Sequence, residues 1–333
     1  MHTTLRPLLR WLAPALIGTA AAAASVLPSA ALAQTTYKMA YALSQQSHYG
    51  AAGNAFAKTL EEGSSGKYKI QQFANSALGG EREVIEGLQL GTIDMAVLST
   101  GATMNFVPAA AVFDVPFLLR DLEHARKVLD GPIGQEMLAE FNKRGLVALA
   151  WGEQGFRHLT NNVRAVASPA DAKGLKIRTT ENQLHIAAFR AIGILPTPMA
   201  WPEVSTALQQ GTIDGQENPL SVITSAKLSQ VQKHLSLTGH VYAPAVIIVS
   251  PSVYEKLSDA DKALFKKAAE NAGQAMRDFV SNIEKSGVQQ LKDEGMQITE
   301  VDRSAFEKAV EPAYKDYNKR FGADLLQRIR DTK

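Results

Sequence analysis

Two arginines interrupt short apolar runs: Arg157 in Gly155-Phe156-Arg157-His158-Leu159-Thr160, and Arg178 at the end of Leu175-Lys176-Ile177-Arg178. A guanidinium is planar and carries five donors, so it can hold a carboxylate through two parallel hydrogen bonds. Taken alone, a strand arginine more often lies at a solvated edge or in an internal salt bridge. Asn218, in Glu217-Asn218-Pro219, offers both a donor and an acceptor, or a helix cap. Trp201, in Pro198-Met199-Ala200-Trp201-Pro202, can wall a pocket or pack a helix start. Other chemistry is sparse. The seven histidines, at 2, 48, 124, 158, 185, 234 and 240, include no pair three to five residues apart, so no metal site is expected. The absence of Cys removes disulfides, zinc-thiolate sites, iron-sulfur clusters and thiol nucleophiles together. No G-x-S-x-G, P-loop or dinucleotide G-x-G-x-x-G is present, so no cofactor is expected. Ser64-Ser65-Gly66-Lys67 fits S-x-x-K, but it falls in a turn and no Lys-Thr-Gly follows it.

The elements that would position these residues alternate. Strands are expected over Lys38–Leu43, Tyr68–Phe73, Ile93–Leu98, Phe156–Thr160 and Leu175–Arg178. Helices are expected over Tyr49–Glu62, Glu81–Leu90, Gln183–Ile192 and Pro202–Gln210. Such alternation implies α/β layering. One segment recurs: Glu83-Val84-Ile85-Glu86-Gly87-Leu88-Gln89-Leu90-Gly91-Thr92-Ile93-Asp94 returns as Glu203-Val204-Ser205-Thr206-Ala207-Leu208-Gln209-Gln210-Gly211-Thr212-Ile213-Asp214. In each copy a helix ends at Gly, which can take the left-handed cap, and a strand is expected to start at Thr-Ile. If the copies are equivalent units of two lobes, Leu98–Thr100 and Glu217–Pro219 are equivalent strand ends. The carboxyl edge of an open α/β sheet faces its ligand crevice.

A chain of 333 residues is long enough for two lobes. From Asp259 to Glu294 helical periodicity is nearly unbroken. A helix of that length would extend about 54 Å, longer than a single lobe, with Gly273 or Gly287 as places for a bend. The first 33 residues carry Arg6 and Arg10, no acidic residue, an apolar stretch from Trp11 to Leu27 and then Ala31-Leu32-Ala33. They read as a cleavable secretory signal, with the exported chain beginning near Gln34. Basic residues are dispersed, so no nucleic-acid partner is expected.

Three segments, in order and spacing, resemble the extracytoplasmic solute-binding proteins of tripartite ATP-independent periplasmic (TRAP) transporters. They are Gly174-Leu175-Lys176-Ile177-Arg178, Pro196-Thr197-Pro198-Met199-Ala200-Trp201-Pro202-Glu203-Val204 and Asp214-Gly215-Gln216-Glu217-Asn218-Pro219. Leu78-Gly79-Gly80-Glu81-Arg82 and Ala111-Val112-Phe113-Asp114-Val115-Pro116-Phe117 add weaker matches. The resemblance implies an α/β, two-lobed periplasmic binding protein with crossing strands and a long helix spanning both lobes. Residues 34–155 with 244–283 would form lobe I, and 156–243 with 284–333 lobe II. By the same resemblance Arg178 clamps the carboxylate of a small organic acid, Arg157 assists, Asn218 completes the polar set and Trp201 covers the ligand. His48, Tyr49, Ser99, Thr100 and Glu153 lie where family members vary their ligand contacts. The resemblance further implies a periplasmic location, delivery to membrane subunits of a TRAP transporter, no cofactor and no catalytic step. The polar residues Ser44, Gln45, Gln46 and His48 favour a sugar acid or hydroxy acid. The alternatives are a periplasmic enzyme using Glu153 or His48 as a general base, and a ligand sensor reporting to a receptor.

Overall fold

The computed structural model describes residues 34–333, and the segment read as a secretory signal lies outside them. Nine strands among the described residues form one sheet: β1 (Thr35–Ala40), β2 (Tyr68–Phe73), β3 (Met95–Ser99), β4 (Val147–Asn161), β5 (Lys176–Thr179), β6 (Leu195–Pro198), β7 (Gly215–Pro219), β8 (His234–Val249) and β9 (Gln297–Thr299). Their order is β2-β1-β3-β8-β4-β7-β5-β6, with β9 beside β8. Strands β2, β1 and β3 are parallel, as are β6, β5 and β7. Each trio meets one of the long antiparallel strands, β3 against β8 and β7 against β4. The two long strands pair with each other and join the halves, which gives the two-lobed architecture with crossing strands.

The repeated segment is one structural device used twice. Helix α1 (Glu81–Leu90) ends at Gly91 with φ 75°, and α2 (Trp201–Gln210) ends at Gly211 with φ 68°. Only glycine adopts that conformation at little cost. The strands start at Met95 and Gly215, later than the Thr-Ile pair suggested, because that pair completes the turn. Thr92 and Thr212 donate their hydroxyls to the carbonyls of Gly87 and Ala207, and both isoleucines are buried. Asp94 and Asp214 then accept from the backbone N–H of Lys38 in β1 and Lys176 in β5, each at 2.7 Å. Both copies therefore stitch a helix end to the neighbouring parallel strand, and both following strands run towards the same crevice.

Helix α3 (Asp259–Asp293) is continuous through Gly273 and Gly287. Its first half contributes Phe265, Ala268, Ala269, Ala272 and Met276 to the core around β1 and β3, while Leu291 belongs to the core beneath α2. It is thus a strut across both halves. The C-terminal segment also ties the halves together: Tyr317 donates to the carbonyl of Leu184 and Tyr314 to that of Pro116, while the Ile329 carbonyl meets His124.

Gly273 reports how tightly the strut is seated, since a Cβ there would lie 2.3 Å from the carbonyl oxygen of Trp151 in β4. Helix propensity alone predicts that Gly273→Ala stabilises the protein by about 1 kcal/mol. The backbone clash reverses the sign, and a loss of about 1–3 kcal/mol is expected by urea unfolding. A stabilised variant would contradict this packing.

Candidate functional site

The carboxyl ends of the two sets of parallel strands converge on a small cavity of about 30 Å³ beside the crossing strands. Six residues singled out from the sequence line it: Tyr49, Ser99, Arg157, Arg178, Trp201 and Asn218. Ser99 ends β3 and Asn218 lies near the end of β7, so the two copies of the repeated unit each deliver a polar residue to one crevice.

The two arginines are not equivalent. Arg157 is in an internal salt bridge with Glu217, the ordinary fate of a strand arginine. Its Nη2 lies 2.9 Å from Glu217 Oε1, and its Nε donates to Oε2. Nη2 also donates to the Glu217 carbonyl at 2.6 Å and to Asn218 Oδ1 at 3.1 Å. Burial alone would push the Glu217 carboxyl upward, but Arg157 and the hydrogen bonds from His240 and Arg157 outweigh it and hold it well below the usual carboxylate range. An ionised carboxylate only accepts, so His240 Nε2, 3.1 Å from Oε2, must carry the proton. His240 Nδ1 then accepts from the Thr238 hydroxyl at 2.7 Å.

Arg178 has no carboxylate within ion-pair distance among the described residues, although it is only 3 % exposed. Its Nε and Nη2 donate to the single carbonyl of Met199, at 3.0 and 2.7 Å. The guanidinium carbon lies 5.8 Å from the centre of the Trp201 ring. Burial lowers its pKa to about 10, which still leaves it a cation at neutral pH. No protein partner is recorded for Nη1 of either arginine among the described residues. Asn218 is held at both ends, since Oδ1 accepts from Arg157 and the amide nitrogen donates to Gln216 Oε1 at 2.5 Å, which leaves one amide N–H to donate. The cavity therefore presents fixed donors and, in Arg178, a cation with no ion-pair partner among the described residues, which is the chemistry of an anion site.

The structure places the other three candidates outside this lining. The side chain of Glu153 turns away from the cavity, where Arg126 holds it at 2.6 and 2.8 Å and the Tyr242 hydroxyl donates to it at 3.0 Å. Thr100 donates to Asp114 Oδ1 at 3.0 Å. His48 is fully buried, with its ring 4.8 Å from that of Tyr49, and burial lowers its pKa to about 3. It is a neutral packing imidazole. Ser44 borders a neighbouring pocket, whereas Gln45 and Gln46 are exposed. In their place the cavity is lined by Ala42, Leu43, Glu81, Gln154, Thr180 and Val222, which the sequence reading did not select. For Glu81 a signal was available, because the Leu78-Gly79-Gly80-Glu81-Arg82 turn leads into a helix start at the crevice edge.

The ion pair makes a testable contribution. Glu217→Gln leaves Arg157 buried without its counter-charge and is expected to cost about 3–5 kcal/mol at pH 7 in urea unfolding. Because the folded-state pKa of Glu217 is depressed, its stabilisation is fully present above the unfolded value of about 4.3 and declines as pH falls below it. The gap between variant and wild type should therefore narrow on acidification from pH 5 to pH 3. A gap that is constant over this range would rule out the ionised pair.

The chain matches the family model for bacterial extracellular solute-binding proteins, family 7, over residues 39–320. A solute-binding protein from Verminephrobacter eiseniae is 50% identical over 301 residues, covering 90% of each chain. Among solved structures, a TRAP periplasmic solute-binding protein from Bordetella bronchispeptica, with density assigned to pantoate, is 73% identical with a TM-score of 0.89. The match covers 90% of this chain and 100% of that one. Another, from Polaromonas sp. JS666 bound to D-erythronate, is 53% identical with a TM-score of 0.89, over 90% and 99% of the two chains. With an arginine held in no ion pair at the crevice of two half-sheets, the chain belongs to bacterial extracellular solute-binding protein family 7, a family of binding proteins.

Proposed function

We propose that this protein captures a small hydroxy or sugar acid in the periplasm and delivers it to the membrane subunits of a TRAP transporter. The observation that carries this reading is Arg178, a buried cation that lines the cavity and whose Nη1 has no protein partner among the described residues. Two structural relatives support this ligand class, since pantoate and D-erythronate are both short hydroxylated monocarboxylates. The basic, apolar and small-residue order of the first 33 residues supports export across the inner membrane.

In this reading the solute carboxylate completes the ion pair that Arg178 lacks. Nη1 and the remaining N–H of Nη2 bind it, while Nη1 of Arg157 and the amide of Asn218 add donors. Trp201 covers the site, and Tyr49 and Ser99 face it from the other half. His48, Thr100 and Glu153 act behind this lining as support. Residues 34–155 with 244–283 form one lobe and 156–243 with 284–333 the other, with the C-terminal helices as a second tie across them. Contacts to both lobes favour the closed form over the open one, and that closure is what the membrane subunits read.

A thermal-shift screen of aldonic, uronic and other hydroxy acids tests this. A ligand at 100 times its dissociation constant adds about 2.7 kcal/mol to stability. Arg178→Ala is expected to abolish the shift while leaving the protein folded. A variant that binds the acid normally would sink the clamp assignment.

A further inference from the structure

The cavity has two unlike flanks. On one it shares Glu81, Arg178 and Thr180 with an adjoining pocket that also contains Arg82, Glu83 and Glu181. On the other it shares Ala42 and Leu43 with a pocket whose remaining lining is uncharged apart from Lys227. Trp201 stands between the two and borders both. Leu43, Tyr49 and Val222 belong to one apolar cluster, against which Trp201 packs. A ligand whose polar groups surrounded it evenly would leave hydroxyls facing Leu43 and Val222 without partners, which costs more than it gains.

Glu81 defines the polar flank. It is the first residue of α1, but its side chain is not spent on capping that helix. Oε1 accepts from the backbone N–H of Ser99 at 2.6 Å and Oε2 from the Ser99 hydroxyl at 2.8 Å. This clamp fixes both oxygens and leaves each with a lone pair for one further donor. Ser99 is thereby a positioning residue for Glu81, with its hydroxyl proton already committed. No arginine or lysine lies within ion-pair distance of Glu81 among the described residues. Of the two cavity arginines, Arg157 is neutralised by Glu217, so a single ligand carboxylate satisfies the one remaining cation. A second ligand carboxylate would meet Glu81 instead of a donor. Burial pushes the Glu81 carboxyl up, opposed by the Ser99 hydrogen bonds and the charges of Arg178 and Arg157; in its ionised form it repels a ligand carboxylate and accepts a hydroxyl in a charge-assisted hydrogen bond.

Building on the solute-binding reading above, we infer that the site selects a singly charged, alkyl-branched hydroxy acid. Glu81 accepts the hydroxyl proton on one flank, and Leu43 and Val222 hold the alkyl branch on the other. The inference adds a rule for what is refused: four-carbon diacids fail on charge, and linear aldonates bind less well because their hydroxyls face the apolar wall.

Four probes titrated by calorimetry into the full chain without its first 33 residues test this: 2-hydroxy-3-methylbutanoate, 3-methylbutanoate, erythronate and malate. The branched hydroxy acid should bind tightest, and loss of its hydroxyl should cost roughly tenfold or more. Malate should show no heat at concentrations that saturate the branched acid. Glu81→Gln should weaken the branched hydroxy acid roughly tenfold and bring malate into the measurable range, a change of charge preference that a purely structural role for Glu81 would not produce. Val222→Thr, nearly isosteric, should move the ratio of branched acid to erythronate roughly tenfold towards erythronate. Wild type binding malate as well as the branched acid, or unchanged ratios in both variants, would overturn the selectivity while leaving the Arg178 clamp intact. Binding that survives Arg178→Ala, or no binding of any of the four acids, would overturn both.

Discussion

A guanidinium kept in a cavity without a carboxylate partner is the interaction on which the rest of this structure depends. Arg178 is nearly inaccessible, and burial weakens its hold on a proton, yet among the described residues only the Met199 carbonyl accepts from it. Leaving a charge in that state is costly. Arg157, next to it, is in the opposite condition: Glu217, itself held by His240, cancels its charge within the protein. The contrast lets the site be both rigid and receptive. One arginine is locked as part of the frame and orients Asn218, while the other retains an unmet demand that an incoming anion can satisfy.

That demand can be sustained only if neighbouring groups cannot rearrange to meet it. Two features prevent them. The repeated helix-turn-strand unit pins β3 to β1 and β7 to β5 through Asp94 and Asp214, so Ser99 and Asn218 arrive at the crevice on strands with fixed register. The crossing strands β4 and β8 are then pressed by α3, which approaches so closely at Gly273 that a methyl group has no room. Glu81, an acid in the same lining that could otherwise quench Arg178, is itself restrained by two hydrogen bonds from Ser99. The cavity is thus held at a charge arrangement that the side chains alone would not choose.

Much of this was legible in the sequence, for identifiable reasons. The duplicated segment, the glycine caps and the long periodic helix are local patterns, and local patterns survive translation into structure. Arg178 and Asn218 stood out as polar groups at strand ends and Trp201 as a bulky one at a helix start, but it was the family resemblance that pointed them towards a ligand. The misplacements fall where a side chain's direction depends on tertiary detail. In β4 the register shifts between Glu153 and Gly155, and Gly155 has φ +106°, so simple alternation fails. Gln154 and Arg157, three residues apart, both face the cavity, whereas Glu153 faces Arg126. Tyr49 and His48 are neighbours on the first turn of one helix and therefore point in different directions. Glu81 was hidden by its context, because an acidic residue at a helix start already has an ordinary explanation.

Charge gives the same conclusion from a larger scale. The whole chain has 35 basic and 33 acidic residues, and the excess resides entirely in Arg6 and Arg10, so residues 34–333 are formally neutral. A neutral body exerts little long-range pull on an anion, and at physiological ionic strength any field between exposed charges fades within about 8 Å. Attraction must then arise inside the crevice, where low-dielectric walls concentrate the field of Arg178 and ions screen it poorly. Recognition of this kind is short-ranged and stereochemical. The solute experiences the charge only after entering far enough for Glu81 and the Leu43–Val222 wall to act on the rest of the molecule, so attraction and discrimination take place in the same few ångströms.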